Sequence, residues 1–268
     1  MKRMPVVFVP HGGGPWPFAD VGLPKDELEE LAAYLRSVEA LPKTPPKALL
    51  VISAHWEEKV PTVMTSPSPP MLYDYYGFPA EAYEVKWPAP GSPELAKRVQ
   101  ELLAKAGIES AADDQRGFDH GTFVPLKVTY PEPTIPAVQL SLKANLDPAD
   151  HLAIGRALAP LRDEGVLIVG SGLSFHNMGV FRARGNPAFV QSGTAFDDWL
   201  KATITATPEE RNARLTKWAD APGARVAHPR EEHFFPLLVV AGAAGDDRGT
   251  VPFNGKMLGI PISAAQFG

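Results

Sequence analysis

Four short apolar runs set the limits on how this chain can fold. Val6 to Val9, Ala48 to Ile52 and Val166 to Val169 are continuously apolar, and Pro136 to Leu140 is a fourth candidate. Strands that do not alternate apolar with polar residues are buried on both faces, as in parallel sheets covered by helices. Helical patterns with recognisable ends separate the runs. In "SPELAKRVQELLAKAG", Ser92 is placed to cap the helix, Pro93 suits its first turn and Gly107 follows its last. "DPADHLAIGRALAPLRDEG" repeats the design with Asp147, Pro148 and Gly165. From Lys25 to Leu41, the residues Leu28, Leu31, Ala32, Leu35 and Val38 share one helical face. The expectation is an α/β fold. It is one domain over residues 1–268, with a central, largely parallel or mixed sheet flanked by helices and an active site at the C-terminal edge of the strands.

Hydrophobic residues make up 44% of the 268 and charged residues 21%, enough for a large core and unlike a disordered chain. A net charge of -5 leaves no basic surface to neutralise a phosphate backbone, so nucleic acid is not an expected partner. Cysteine is absent, which excludes disulfides, thiolate metal sites and a cysteine nucleophile; any metal must be held by His, Asp or Glu. The first apolar run is broken by Pro10, too short for a signal segment or a membrane span, and a cytoplasmic protein away from membranes is expected. The longest loop, Ser66 to Pro90, carries Tyr73, Tyr75, Tyr76, Phe78, Tyr83 and Trp87, which favour an ordered lid or wall.

The histidines fall where such a sheet would present them. "VVFVPH" ends in His11, "ALLVISAH" ends in His55, and "VLIVGSGLSFH" reaches His176 beyond the third run. Strand C-termini of a parallel sheet share one edge, so three imidazoles converge there without further assumption. His120 sits in a glycine-flanked turn before a helix, in "RGFDHGTFVPL", and His233 in the first turn of an apolar helix, in "PREEHFFPLLVVAGAAG". His151, in an exposed amphipathic helix, and His228, in a polar loop, read as ordinary. Neutral imidazole is the commonest metal ligand, and three or four N/O ligands with an open position suit iron or zinc. Of the nearby carboxylates, Glu57 and Glu231 read as solvated, while Asp119 and Glu232 are candidates to ligate or to orient an imidazole.

The glycines of "PHGGGPWP" do not make a phosphate loop. The third glycine of a dinucleotide fingerprint is missing, Pro15 and Pro17 stand where a helix would propagate, and there is no Walker lysine. "GSGLS" at 170 to 174 does not fit the G-x-S-x-G elbow of serine hydrolases.

"PHGGGP", "SAHW", "GFDHGTFVPL", the His176–Asn177 pair and "EHFFPLL" occur in the order found in class III extradiol ring-cleavage dioxygenases, which this chain resembles from about Pro5 to Gly268. "GFPAEAYEVKWPAPGSPELAKRV" resembles their 4,5-DOPA dioxygenase-like branch in particular. The resemblance implies a non-haem Fe(II) enzyme that binds a small catecholic substrate and O₂ and opens the ring beside the two hydroxyls. It implies that His11, His55 and His233 hold the metal, with Glu232 a less favoured substitute for His233. His176 would be an acid/base or a further ligand, and His120 would assist close to substrate. Zn²⁺ is a possible occupant of the purified protein, because zinc generally binds such sites more tightly than iron.

The chain departs from that branch at "HGGGPWP" and "GLSFHN", which puts DOPA itself in question as substrate. Arg116, Lys127 and Arg182 are cations that could meet a substrate carboxylate, each more simply read as surface charge. Two other functions remain open on sequence: a zinc hydrolase using the same histidines to activate water, and a metal-binding protein without chemistry.

Overall fold

A computed structural model describes residues 3–183 and 185–268. The first half of the chain runs β1 (Val6–Pro10), α1 (Lys25–Val38), β2 (Ala48–Glu58), β3 (Thr62–Met64), α2 (Pro93–Lys105), β4 (Ala111–Asp113), α3 (His120–Thr129) and β5 (Ala137–Lys143). The second half runs α4 (Pro148–Leu158), β6 (Val166–Gly172), α5 (Gly179–Arg182), α6 (Pro187–Ile204), α7 (Pro208–Thr216), α8 (Ala224–Ala227) and α9 (Phe235–Ala244). It ends with the short strands β7 (Gly249–Thr250), β8 (Asn254–Met257), β9 (Ile260–Ser263) and β10 (Ala265–Phe267).

All four apolar runs are strands, and they are neighbours. An eight-stranded mixed sheet has the order β4-β3-β5-β2-β6-β1-β10-β7, with β5, β2, β6 and β1 parallel at its centre. Antiparallel pairings flank this centre, β3 against β5 on one side, with β4 parallel to β3 beyond it, and β10 against β1 and β7 against β10 on the other. The central strands are buried along nearly their whole length, which is why their sequences do not alternate. Strands β8 and β9 form a separate hairpin.

The two faces are distinguished along β6, where successive side chains alternate sides. Ser171 hydrogen-bonds the carbonyl of Gly121 in α3. Gly170 and Gly172 face the other way: a Cβ on either would collide with a carbonyl oxygen, that of Pro236 and of His233 respectively. One face is therefore covered by α3 with α1, the other by α9 with α4 and α2. The helix ends follow their sequence signals. Ser92 Oγ accepts from the amide of Leu95, Asp147 Oδ1 from that of Asp150, and Gly107 has φ 73°. No helix among the described residues is long and apolar enough to cross a membrane.

Three sequence expectations are corrected. His151 is buried, not exposed: its Nδ1 donates to Asp147 O at 2.7 Å and its Nε2 accepts from the amide of Lys143 at 3.1 Å, tying α4 to β5. His228 is buried as well, its Nε2 donating to Ser174 O at 2.9 Å among the rings of Phe196, Trp218 and Phe234. His233 precedes α9, which starts at Phe235 because Pro236 occupies its first turn.

Candidate metal centre

Strand register brings the first two histidines together. Val9 and Ser53 both pair with Ser171 of β6. His11 and His55 each lie two residues further on and so point to the same side at the same level. Their Nε2 atoms are 3.3 Å apart. His120, the first residue of α3, lies against them, with ring centroids 3.9 Å from His55 and 5.5 Å from His11. His233 arrives from the opposite face of the sheet. Its carbonyl accepts from the amide of Leu173 at 3.0 Å, an approach that only a glycine at 172 allows. Its ring then lies 5.2 Å from His11 and 4.8 Å from His55, and it stacks on His176 at 3.4 Å. Five histidines from separate segments thus share one site.

Carboxylates orient the rings from behind. Glu232 Oε1 accepts from His233 Nδ1 at 2.9 Å and lies 3.5 Å from His176 Nδ1. This leaves the buried Nε2 of His233 as a lone pair with no hydrogen-bond partner. Burial alone would raise the Glu232 pKa, but its bonds to His176 and His233 outweigh that and hold it ionised. Arg230 bridges Glu232 to Glu57, so the solvated reading of Glu57 gives way to an ion pair at 2.5 Å. Asp74 does for His120 what Glu232 does for His233. Its Oδ1 accepts from the His120 ring Nδ1 at 2.7 Å and from the amide at 3.0 Å, turning Nε2 toward the site.

Asp119 has a different task. It accepts from Ser53 Oγ at 2.7 Å, from Arg116 Nη2 at 3.0 Å and from Gln139. Ser53 Oγ accepts from the His55 amide and Arg116 donates to the His55 carbonyl, so this network grips the His55 backbone. Arg116 is therefore not surface charge. Lys127 donates to the carbonyl of Lys86, and Arg182 is exposed.

Burial, then the charge of neighbouring imidazoles, holds His11 and His55 well below 6.5, and the same two causes bring His233 to about 4. The three rings are neutral near pH 7, the state that binds a metal. His11, His55 and His120 offer ring nitrogens within 4.8 Å of one another, and the ring nitrogens of His176 and His233 with a carboxylate oxygen of Glu232 form a second such group. A buried all-imidazole set with an orphaned Nε2 and carboxylates on the far nitrogens fits a divalent cation of the iron or zinc kind.

The site opens into a cavity of about 420 Å³. Asp74, Tyr75, Tyr76 and Phe78 line it, so part of the long aromatic loop is a wall, as expected. The glycines after His11 serve the path of the backbone. Gly12 and Gly14 take φ 81° and 52° to turn the chain, and a Cβ on Gly12 would strike the buried Trp16 ring, not the metal site. Asp74 is the functional residue the sequence reading missed; its only local signal is a lone acid among the tyrosines of "LYDYYGF".

A family model described as the catalytic LigB subunit of aromatic ring-opening dioxygenase matches residues 6–262. A 4,5-DOPA dioxygenase extradiol of Beta vulgaris is 48% identical over 208 residues, covering 75% of each chain. The protein of that name in Escherichia coli K12 is 36% identical over 270 residues, covering 99% of this chain and 95% of its own. The crystal structure of an uncharacterized Escherichia coli K12 protein superposes with a TM-score of 0.78 at 33% identity, over 99% of this chain and all of that one.

Proposed function

This chain belongs to the LigB family of catalytic subunits of aromatic ring-opening dioxygenases, class III extradiol enzymes, and on that premise we propose a non-haem Fe(II) enzyme that opens a catechol ring with O₂. The observation that carries the proposal is the unpartnered, buried Nε2 of His233 in a cluster that already contains the facing Nε2 atoms of His11 and His55. His11, His55 and His233 would hold the metal, with His176 as base or fourth ligand. When bound, the metal supplies the site at which the two catechol oxygens and O₂ are brought together.

The remaining work falls to the chain's own residues. His176, with Nδ1 toward Glu232, keeps Nε2 free to take a catechol proton and return it during ring opening. His120, fixed by Asp74, presents Nε2 to hydrogen-bond substrate or oxygen. Glu232 and Asp74 set ring orientation, without which such bonds would be poorly aligned. The apolar wall excludes water and leaves the polar groups little else to bind.

The test is anaerobic loading with Fe(II), then O₂ and a catechol panel that includes DOPA, for which the relatives above are named. Oxygen uptake with formation of a yellow ring-fission product is expected. Metal-loaded protein that takes up no oxygen with any catechol would overturn the proposal and favour a hydrolase.

A further inference from the structure

The cavity has two chemically different parts. One is the histidine cluster with Asp74. The rest is mostly apolar, with Tyr75, Tyr76 and Asn177 as its uncharged polar side chains, and its apolar part comes largely from the β8–β9 hairpin: Met257, Leu258, Ile260 and Ile262 line it, joined by Leu23 and Phe175. Among the described lining residues the only side chain that is neither histidine nor uncharged is Asp74, an acid already bonded to His120. Among the described residues, Arg116, the cation that grips His55 beside the cluster, is engaged by Asp119.

The hairpin turn adds an independent observation. Leu258 and Gly259 have φ 54° and 76°. A two-residue turn with both centres left-handed favours Asn-Gly, and a branched L-residue avoids it. Glu27 holds the turn by accepting from the amides of Leu258 at 2.6 Å and Gly259 at 2.8 Å. Backbone geometry does not ask for leucine here; the cavity wall does. A backbone-strained residue on a cavity wall points to a role for its side chain there.

We infer that the catechol taken by this site carries an uncharged, apolar substituent directed at the β8–β9 hairpin, and not a carboxylate or amino-acid side chain. The inference rests on the catechol reading above. Its physical basis is that a substrate carboxylate on this wall would lose its water without gaining a partner, whereas an alkyl chain gains from burial.

The experiment compares 4-propylcatechol with the near-isosteric 3-(3,4-dihydroxyphenyl)propanoate and with catechol, reading kcat/KM on Fe(II)-loaded protein and Kd anaerobically. Each buried methylene is worth about fourfold, so 4-propylcatechol is expected to exceed the propanoate by about tenfold or more in both readouts. Leu258→Asn, which suits the left-handed turn, is expected to raise KM for 4-propylcatechol about tenfold more than KM for catechol. Met257→Lys should narrow the gap by favouring the propanoate. Equal or tighter binding of the propanoate by the unaltered protein overturns the inference. If no catechol is opened, the dioxygenase reading fails, while the anaerobic Kd pair still decides the preference: tighter propylcatechol upholds it, and parity ends it.

Discussion

His228 makes the folded protein sensitive to acid by an amount that can be worked out. Its ring is fully buried, Nε2 donates to the Ser174 carbonyl, and Nδ1 has no partner, so a second proton would sit on a nitrogen with no acceptor. Burial, acting against the Ser174 bond, lowers its pKa to about 3, against about 6.5 in the unfolded chain. Between these values the unfolded state takes up a proton that the folded state refuses. The contribution to stability is therefore complete above pH ~6.5 and is lost as pH falls from there toward 3.

At pH 5 the unfolded imidazole is almost wholly protonated and the folded one is not, which makes the loss relative to pH 8 about 2 kcal/mol. Any folded value of about 4 or lower gives nearly the same figure, because pH 5 lies above it. The assay is urea unfolding of metal-free protein at pH 8 and pH 5, for the unaltered chain and for His228→Gln, whose amide can still donate to Ser174. The buried site histidines titrate in both proteins and cancel in the difference. The variant should lose about 2 kcal/mol less between the two pH values, whatever its absolute stability. Identical pH dependence would refute the assignment of the buried, neutral ring.

Four further outcomes are expected. Gly172→Ala pushes a Cβ into the His233 carbonyl and should weaken metal binding about tenfold or more in a metal titration. Gly107→Ala, left-handed but in open space, should cost only about 1 kcal/mol of stability and leave metal affinity alone. Asp74→Ala frees the His120 ring and should lower kcat/KM by roughly 10–100-fold, with Asp74→Asn, still able to accept from Nδ1, losing less. Stripping the metal with a chelator should lower Tm, by the equivalent of about 4 kcal/mol where free metal stood at a thousand times its Kd, and re-addition of Fe²⁺ or Zn²⁺ should restore it.

His11 and His55 were legible because two local facts suffice to place them: each follows a continuously apolar strand, and such strands share an edge. His233 is different. No periodicity places it in the site, since it comes from the far face and enters only because β6 has Gly172 where it passes. The motif resemblance supplied what spacing could not. His151 and His228 were misread for a related reason: polarity along the chain predicts exposure only when a ring lacks buried partners, and both rings found backbone groups of other elements, Lys143 of β5 for His151 and Ser174, 54 positions away, for His228. The mixed edges of the sheet were equally silent, because β7 and β10 are two and three residues long and carry no period.

The two residues that sequence reasoning passed over most completely, Asp74 and Leu258, have something in common. Asp74 sits in a proline-rich loop and finds its partner 46 positions away. Leu258 occupies a turn where local propensity asks for asparagine. Neither residue serves the segment that contains it. Local sequence rules describe how a segment stabilises itself, so they fail where a residue is kept for another element or for a ligand. Both failures lie on the wall of the same cavity, Asp74 fixing the ring that meets the substrate's polar end and Leu258 facing what the remainder of the substrate must be. That coincidence is an argument for the cavity as the functional site that stands beside the convergence of His11, His55 and His233.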